Sequence, residues 1–343
     1  MNNTNNASDN VLRHMDVITE LENYVLSQEP QVHEAMESYW DKKPKFIVFF
    51  SACDGERRAY VTTGLGNQMA TAWNNALDRM QKVLKDTGLV PQWFKADVVT
   101  SIRPMPISSF KEYLSHIKRN YFWEGISLDP LFNMAFLEQE INANVFFHEN
   151  KKTGDTQIVW KNIEFYLSRY RFTRISLSDD QVPMVYLFTT QGFFHDGEHC
   201  YPLQHEPLNN GRRQSSMSHQ LIEHIMGQSA DYLADQVQEN GRFRYGYFPC
   251  FDKEIEHYNH LRHASSAYAL LEACEILGKA GYLKQAEKAL DYLIARGVLS
   301  HVDEDGFRRC FVVEPELNNE IKLGANAAAI LAMAKHEKIT GSG

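Results

Sequence analysis

The stretch Leu261-Arg-His-Ala-Ser-Ser-Ala-Tyr-Ala-Leu-Leu-Glu-Ala-Cys-Glu-Ile-Leu277, followed by Gly278-Lys-Ala-Gly281 and Tyr282-Leu-Lys-Gln-Ala-Glu-Lys-Ala-Leu-Asp-Tyr-Leu-Ile294, decides the fold of the C-terminal part. Apolar residues recur at helical spacing on both sides of the glycine-containing connection. Short connections of this kind join antiparallel helices. The stretch therefore predicts a helical hairpin, with helices at about 261–278 and 282–296.

Two further helices are predicted on either side of this hairpin, at about 216–238 and 322–338. The sequence also repeats weakly. The helix start His263-Ala-Ser-Ser-Ala-Tyr-Ala-Leu-Leu271 is matched by Gly324-Ala-Asn-Ala-Ala-Ala-Ile-Leu331, and the turn Glu239-Asn-Gly-Arg-Phe243 by Glu304-Asp-Gly-Phe307. Self-similarity of this kind, with small residues on alternate helices, is typical of stacked helical hairpins.

The sequence pattern of residues 216–340 resembles that of a known superfamily. It is carried by Asn240-Gly-Arg-Phe-Arg-Tyr245, Tyr258-Asn-His-Leu-Arg-His-Ala264, Ala267-Tyr-Ala-Leu-Leu271 and the run from Tyr282 to Leu293. These segments are similar to the hairpin repeats of α/α-toroid proteins, such as six-hairpin glycosidases and N-acylglucosamine 2-epimerases. The resemblance implies acid–base chemistry on a sugar: hydrolysis, epimerisation or elimination. Four predicted helices do not complete six hairpins, so residues 216–343 are expected to form a truncated, toroid-like domain, and the alternative is a smaller helical array.

The N-terminal half has a different pattern. Strands are predicted at 46–50, 58–63, 93–100, 125–128 and 182–191, and helices at 70–83, at 108–118 and through Phe132, Ala135, Phe136 and Ile141. Asp54-Gly55 is the signal for a hairpin turn between the first two strands, and Gly64-Leu-Gly66 is expected to break the chain before the first of these helices. This order predicts an α+β domain at 45–205 around a small mixed sheet. Residues 1–44 are expected to form a disordered tail and a leading helix, and the polar stretch 205–216 separates the two domains.

Composition excludes several classes of protein. The 343 residues carry 35 Lys+Arg against 44 Asp+Glu, a net charge of −9, which disfavours a nucleic-acid partner. No apolar run approaches the ~20 residues that span a bilayer. The five cysteines form no C-x-x-C pair, and the polar start MNNTNNASDN is no secretory signal. Reduced thiols and a cytoplasmic location are predicted.

The densest candidate site is the segment between Phe243 and His263. Tyr245, Tyr247 and Tyr258 offer flat faces with hydroxyl groups, the combination that sugar rings use. Glu254 or Glu256 could act as general acid or base if burial raised its pKa, with His263 as a partner. Arg262 could bind a substrate carboxylate, and Asn259 could bind substrate or cap the following helix.

A second candidate loop runs from Glu314 to Lys322 and enters the last predicted helix. The repeat places it in the position of the first loop, so Glu316 becomes a second catalytic candidate and Asn326 a substrate-binding one. Two carboxylates from different hairpins are what glycoside hydrolysis needs. The alternative is a solvated acidic helix start.

Other chemistries find weaker support. His195-Asp-Gly-Glu-His-Cys200 crowds possible metal ligands into six residues, but its spacing is no established zinc pattern, and a polar hairpin tip is preferred. Cys53 lacks a nucleophile-elbow motif, and Gly64-Leu-Gly66 is no phosphate loop. Neither a metal nor a cofactor is predicted. The functional prediction is a carbohydrate-active or polysaccharide-biosynthesis enzyme acting on a sugar or oligosaccharide: a glycoside hydrolase, epimerase or lyase. The alternative is a non-catalytic helical scaffold that binds a partner protein or glycan.

Overall fold

The computed structural model describes residues 16–28, 46–117, 122–150, 152–204, 206, 211–248 and 253–341. The tail predicted at 1–10 and residues 205 and 207–210 of the separating stretch 205–216 lie outside these residues. Contacts divide the chain into two compact units, Met1–Ser215 and Ser216–Gly343. Helices and antiparallel strands are both abundant, so the protein belongs to the α+β class.

The first unit is built on a seven-stranded sheet. Its strands are β1 (Phe46–Cys53), β2 (Tyr60–Gly66), β3 (Trp93–Pro106), β4 (Gly125–Ser127), β5 (Ala135–Phe136), β8 (Met184–His195) and β9 (Cys200–Pro202), while β6 (Phe147–Glu149) and β7 (Thr156–Ile158) form a separate hairpin. The order is β2-β1-β3-β8-β4-β5, with β9 on β8. Every described pairing is antiparallel, which corrects the expected mixed sheet.

Five described helices accompany this sheet: α1 (16–27), α2 (Met69–Thr87), α3 (Ile107–Ser115), α4 (Glu138–Ala143) and α5 (Trp160–Tyr170). Helices α1 and α2 bury apolar residues against one face of β1 and β3, where Trp73 packs edge-on to Phe50 with ring centroids 5.3 Å apart. Helices α3 and α5 share a second core with β4 and β8.

One predicted helix of the first unit is wrong. Residues 132–136 contain a loop and the short strand β5, and α4 begins only at Glu138. The carboxylate of Asp129 accepts the backbone N–H groups of Leu131, Asn133 and Met134, and Phe132 has φ +56°. These hydrogen bonds close a loop that a continuing helix could not form.

The second unit contains four helices in its described part: α6 (His219–Asp235), α7 (His260–Leu277), α8 (Ala280–Gly297) and α9 (Leu323–Thr340). Each lies within a few residues of a predicted helix. Helix α7 packs against α6, α8 and α9. The segment between α6 and α7 carries the hairpin β10 (Tyr247–Phe248) and β11 (Lys253–Glu254), and the segment between α8 and α9 carries the sheet β12 (Val298–Val302), β13 (Arg308–Glu314) and β14 (Glu320–Ile321), none of which was predicted.

Candidate functional site

The second unit has a pocket of about 400 Å³ between α6, the β10–β11 hairpin and the first turns of α7. Tyrosines, arginines and one carboxylate dominate its wall: Tyr232, Tyr245, Tyr247, Tyr258, Arg244, Arg262 and Glu254. Tyr247 and Glu254 are paired directly across the hairpin, so the register of β10 and β11 places both side chains next to each other. The pocket therefore combines aromatic faces with charged groups of both signs.

The start of α7 is fixed by one side-chain carboxamide and one side-chain carboxylate. The side-chain oxygen of Asn259 accepts the N–H of Arg262 at 3.0 Å, which makes Asn259 the N-cap of the helix. The backbone N–H of His260 donates to both oxygens of buried Glu314, at the end of β13, at 3.1 and 3.0 Å. These bonds position Arg262 and His263 in the first turn of α7.

His263 and Tyr258 form the buried wall of the pocket. Nε2 of His263 lies 2.7 Å from the carbonyl oxygen of Ala289, and only an N–H can donate there. Nδ1 therefore accepts the Tyr258 hydroxyl at 2.6 Å, while that hydroxyl oxygen accepts the N–H of Phe243 at 3.0 Å. The hydrogen-bonding groups of both side chains are thus committed to the protein.

Burial sets the charge of this pair. It lowers the pKa of His263 to about 4, although the hydrogen bond to the carbonyl group of Ala289 acts in the opposite direction. Burial also raises the pKa of Tyr258 to about 12. Both groups are neutral near pH 7, so they shape the pocket rather than carry protons through it.

The rim of the pocket is a stack of rings and guanidinium groups. The ring centroids of Tyr245 and Tyr258 are 5.6 Å apart. Arg262 lies 5.2 Å from the centroid of Tyr245, and Arg242 lies 4.3 Å from that of Tyr258. Cation–π contacts of this kind hold the rings in place. The guanidinium of Arg262 lines the pocket and can donate to a ligand, whereas that of Arg242 donates to the carbonyl oxygen of Glu256 and lies near Glu316.

Of the predicted carboxylates, Glu254 lines the pocket, whereas Glu256 and Glu316 do not. Glu256 is 78% exposed and pairs with Lys253 at 2.8 Å, a hydrogen bond that lowers its pKa. This is the opposite of the burial on which its role as an acid or base depended. Glu316 accepts the N–H of Tyr258 at 3.2 Å, so the two loops do meet, but its carboxylate supports the backbone behind the pocket.

The remaining predicted residues fall into two groups, those that line the pocket and those that stabilise the fold. The structure brings Tyr247, Tyr258, Arg262 and His263 together in the pocket. Asn259 caps α7, and Asn326 exchanges two hydrogen bonds with the backbone of Val312, so both amides serve the fold. Sequence reasoning missed Tyr232 and Arg244. Tyr232 lies on α6, outside the predicted segment, whereas Arg244 lies within it, so its place in that segment was the available signal.

One group of possible metal ligands exists among the described residues: Glu20, His195 and Cys200 in the first unit. His195 and Cys200 close the predicted hairpin tip, where the Asp196 carboxylate accepts two backbone N–H groups. Nδ1 of His195 accepts the N–H of Gly197 at 3.0 Å, so Nε2 carries the proton and faces Glu20 at 3.4 Å. Burial, with Glu20 and Asp196 nearby, raises the pKa of the Cys200 thiol to about 11. This donor set fits a hydrogen-bonded cluster better than a metal centre.

Comparisons with known proteins give no relative. No protein-family model matches the chain, and no curated protein and no solved structure matches it. Among the described residues, no helix is long and apolar enough to cross a membrane.

Proposed function

We propose that the protein is carbohydrate-active and that its second unit binds a sugar or short oligosaccharide in the tyrosine-lined pocket. The observation that carries this proposal is the convergence of Tyr245, Tyr247 and Tyr258 with Arg262 and Glu254 on one pocket of about 400 Å³. The C–H face of a sugar ring packs on an aromatic face, while its hydroxyl groups need donors and acceptors. Arginine supplies the donors, and the carboxylate supplies the acceptor.

The resemblance to α/α-toroid proteins is part of the same proposal. Two successive helix–loop–helix segments, α6–α7 and α8–α9, each carry β-structure in the connecting loop. The buried residues of α9 are all alanines, and they lie near Ala264 and Ala267 of α7. Small residues allow two helices to pack closely, as the inner helices of a toroid do. A cytoplasmic location and the absence of a nucleic-acid partner stay predictions.

The binding proposal is tested by a sugar panel on the full chain. Neutral, uronic and amino sugars and their oligomers are screened by thermal shift, because a ligand at about 100 times its Kd stabilises by about 2.7 kcal/mol. We expect at least one sugar to bind, and Arg262→Ala to weaken it about tenfold or more, since a charge-assisted hydrogen bond is lost.

The matched control is Arg296→Ala, which removes an exposed arginine of α8 that does not line the pocket. This variant should bind the sugar with the affinity of the unchanged protein. Absence of a shift with every sugar, from folded protein, would refute the proposal. So would equal weakening by the two arginine variants.

A second candidate is catalysis on that sugar by acid–base chemistry. The observation in its favour is that Glu254 is a carboxylate in the pocket wall, whereas Glu256 is not. Glu254→Gln should then abolish turnover with binding retained, and Glu256→Gln should leave both unchanged. Equal turnover in the two variants would exclude Glu254 as the acid or base. Binding without turnover in the unchanged chain would favour a non-catalytic scaffold.

A further inference from the structure

The first unit has a pocket of its own, with a volume of about 310 Å³. It lies over the sheet where β1 ends and β3 begins, and α4 and Tyr166 of α5 also contribute to its wall. Apolar side chains form much of that wall: Val61, Trp93, Phe94, Leu137 and Phe194. A pocket of this size and lining suits a small organic molecule.

Two charged residues of the pocket wall, Lys95 and Glu140, already form ion pairs within the protein. Nζ of Lys95 lies 2.8 Å from Asp97, whose side chain is 3% exposed. The guanidinium of Arg171 lies 2.7 Å from Glu140, whose side chain is 6% exposed. The other Glu140 oxygen accepts the N–H of Leu137 at 2.8 Å. Because each buried charge has its counter-charge, these pairs add no net charge to the pocket.

Arg58 is the charged residue of the wall that has no counter-charge among the described residues. Among the residues that the structure describes, its guanidinium contacts the side-chain oxygen of Asn144 and the ring of Tyr170, with 5.4 Å to the centroid. Both partners are neutral, and neither is a carboxylate. The half-buried Arg58 therefore leaves the pocket with one surplus positive charge.

We propose that this pocket binds a small organic monoanion, with its carboxylate on Arg58 and an apolar body against Val61, Trp93 and Phe194. Guanidinium binds carboxylate through two parallel N–H···O bonds, which fixes the orientation of the ligand. One surplus positive charge matches a monocarboxylate better than a phosphate dianion. The site is separate from the tyrosine-lined pocket, so either can exist without the other.

The test uses benzoate and phenylacetate as probes, with benzamide and phenylacetamide as neutral partners of the same shape. Each is titrated calorimetrically into the full chain up to about 10 mM. We expect at least one carboxylate to bind about tenfold or more tightly than its amide. Arg58→Gln should weaken that carboxylate about tenfold or more, and Arg58→Lys should weaken it less.

Arg57→Gln is the matched control, since Arg57 is adjacent in sequence, is half exposed and pairs with Asp54 outside the pocket. It should bind the carboxylate as the unchanged chain does. Alkylation of Cys53, which lines the pocket, reports where the carboxylate binds. The bound carboxylate should slow alkylation of Cys53 and leave alkylation of the exposed Cys310 unchanged. This readout needs no variant, so it holds even if Arg58→Gln fails to fold.

Three results would overturn the proposal. They are binding of neither carboxylate at about 10 mM, equal affinity for a carboxylate and its amide, and carboxylate binding that does not slow alkylation of Cys53.

Discussion

His263 illustrates how burial and two hydrogen bonds decide the role of a single side chain. The sequence suggests a proton carrier, because the residue stands in a polar loop-to-helix segment. In the structure it is 2% exposed, and both ring nitrogens are used by Tyr258 and Ala289. Its contribution is to hold the Tyr258 ring at the pocket, and that contribution depends on its being neutral.

This neutrality makes stability depend on pH. The pKa of His263 falls from 6.5 to about 4 on folding, so between these values the unfolded chain binds a proton that the folded chain does not. Stability is therefore complete above about pH 6.5 and decreases as the pH falls towards 4. We expect a loss of about 2 kcal/mol between about pH 7.5 and pH 5 from this residue.

Urea unfolding followed by circular dichroism at a series of pH values measures this effect. His263→Gln, whose amide can replace both hydrogen bonds, should show a shallower pH dependence over this window. His219→Gln removes a histidine whose side chain is 85% exposed and should keep the dependence of the unchanged chain. Identical pH profiles for all three proteins would contradict the assignment.

At the scale of elements, Gly64 and Gly66 have a role that differs from the expected one. They do not break the chain ahead of the helix; they are part of β2, over which α2 crosses. A Cβ atom on Gly64 would lie 2.0 Å from the carbonyl oxygen of Ala72 and 2.3 Å from the nitrogen of Ala76. Both atoms are backbone, so the helix itself would have to move.

Gly64→Ala should therefore destabilise the first unit by about 3 kcal/mol or more, at the upper end for overpacking. Guanidinium unfolding followed by tryptophan fluorescence measures it, because all five tryptophans precede Ser216. The matched control is Gly227→Ala in α6, where a Cβ would have no neighbour within 4 Å. Because α6 belongs to the second unit, the tryptophan-reported transition of this variant should match that of the unchanged chain. A Gly64→Ala protein as stable as the unchanged one would contradict the close crossing.

Helices with a periodic pattern of apolar residues could be predicted from the sequence. A loop held by hydrogen bonds between a side chain and the backbone could not. The four helices of the second unit were found because apolar residues recur at helical spacing. The loop at 129–136 was missed because one carboxylate, that of Asp129, outweighs the helical pattern that follows it. Helix α5 was not predicted, although its buried residues Ile163, Tyr166 and Leu167 have helical spacing in the sequence.

At the scale of the whole molecule, each unit has its own core and its own pocket. Most of the site residues predicted between Phe243 and His263 meet in the tyrosine-lined pocket, because they lie within one segment of the chain. The roles of Glu316 and Asn326 could not be predicted in the same way. Both depend on contacts with distant backbone, at Tyr258 and Val312, that no local pattern encodes.

The central claim is that a sugar occupies the tyrosine-lined pocket. Its most direct test is amide hydrogen exchange of the full chain, measured by mass spectrometry with and without the sugar that binds most tightly. We expect sugar-dependent protection of residues 243–248 and 253–263, with the exchange of the first unit unchanged. Protection confined to residues outside the pocket, or no protection with any sugar, would contradict the claim.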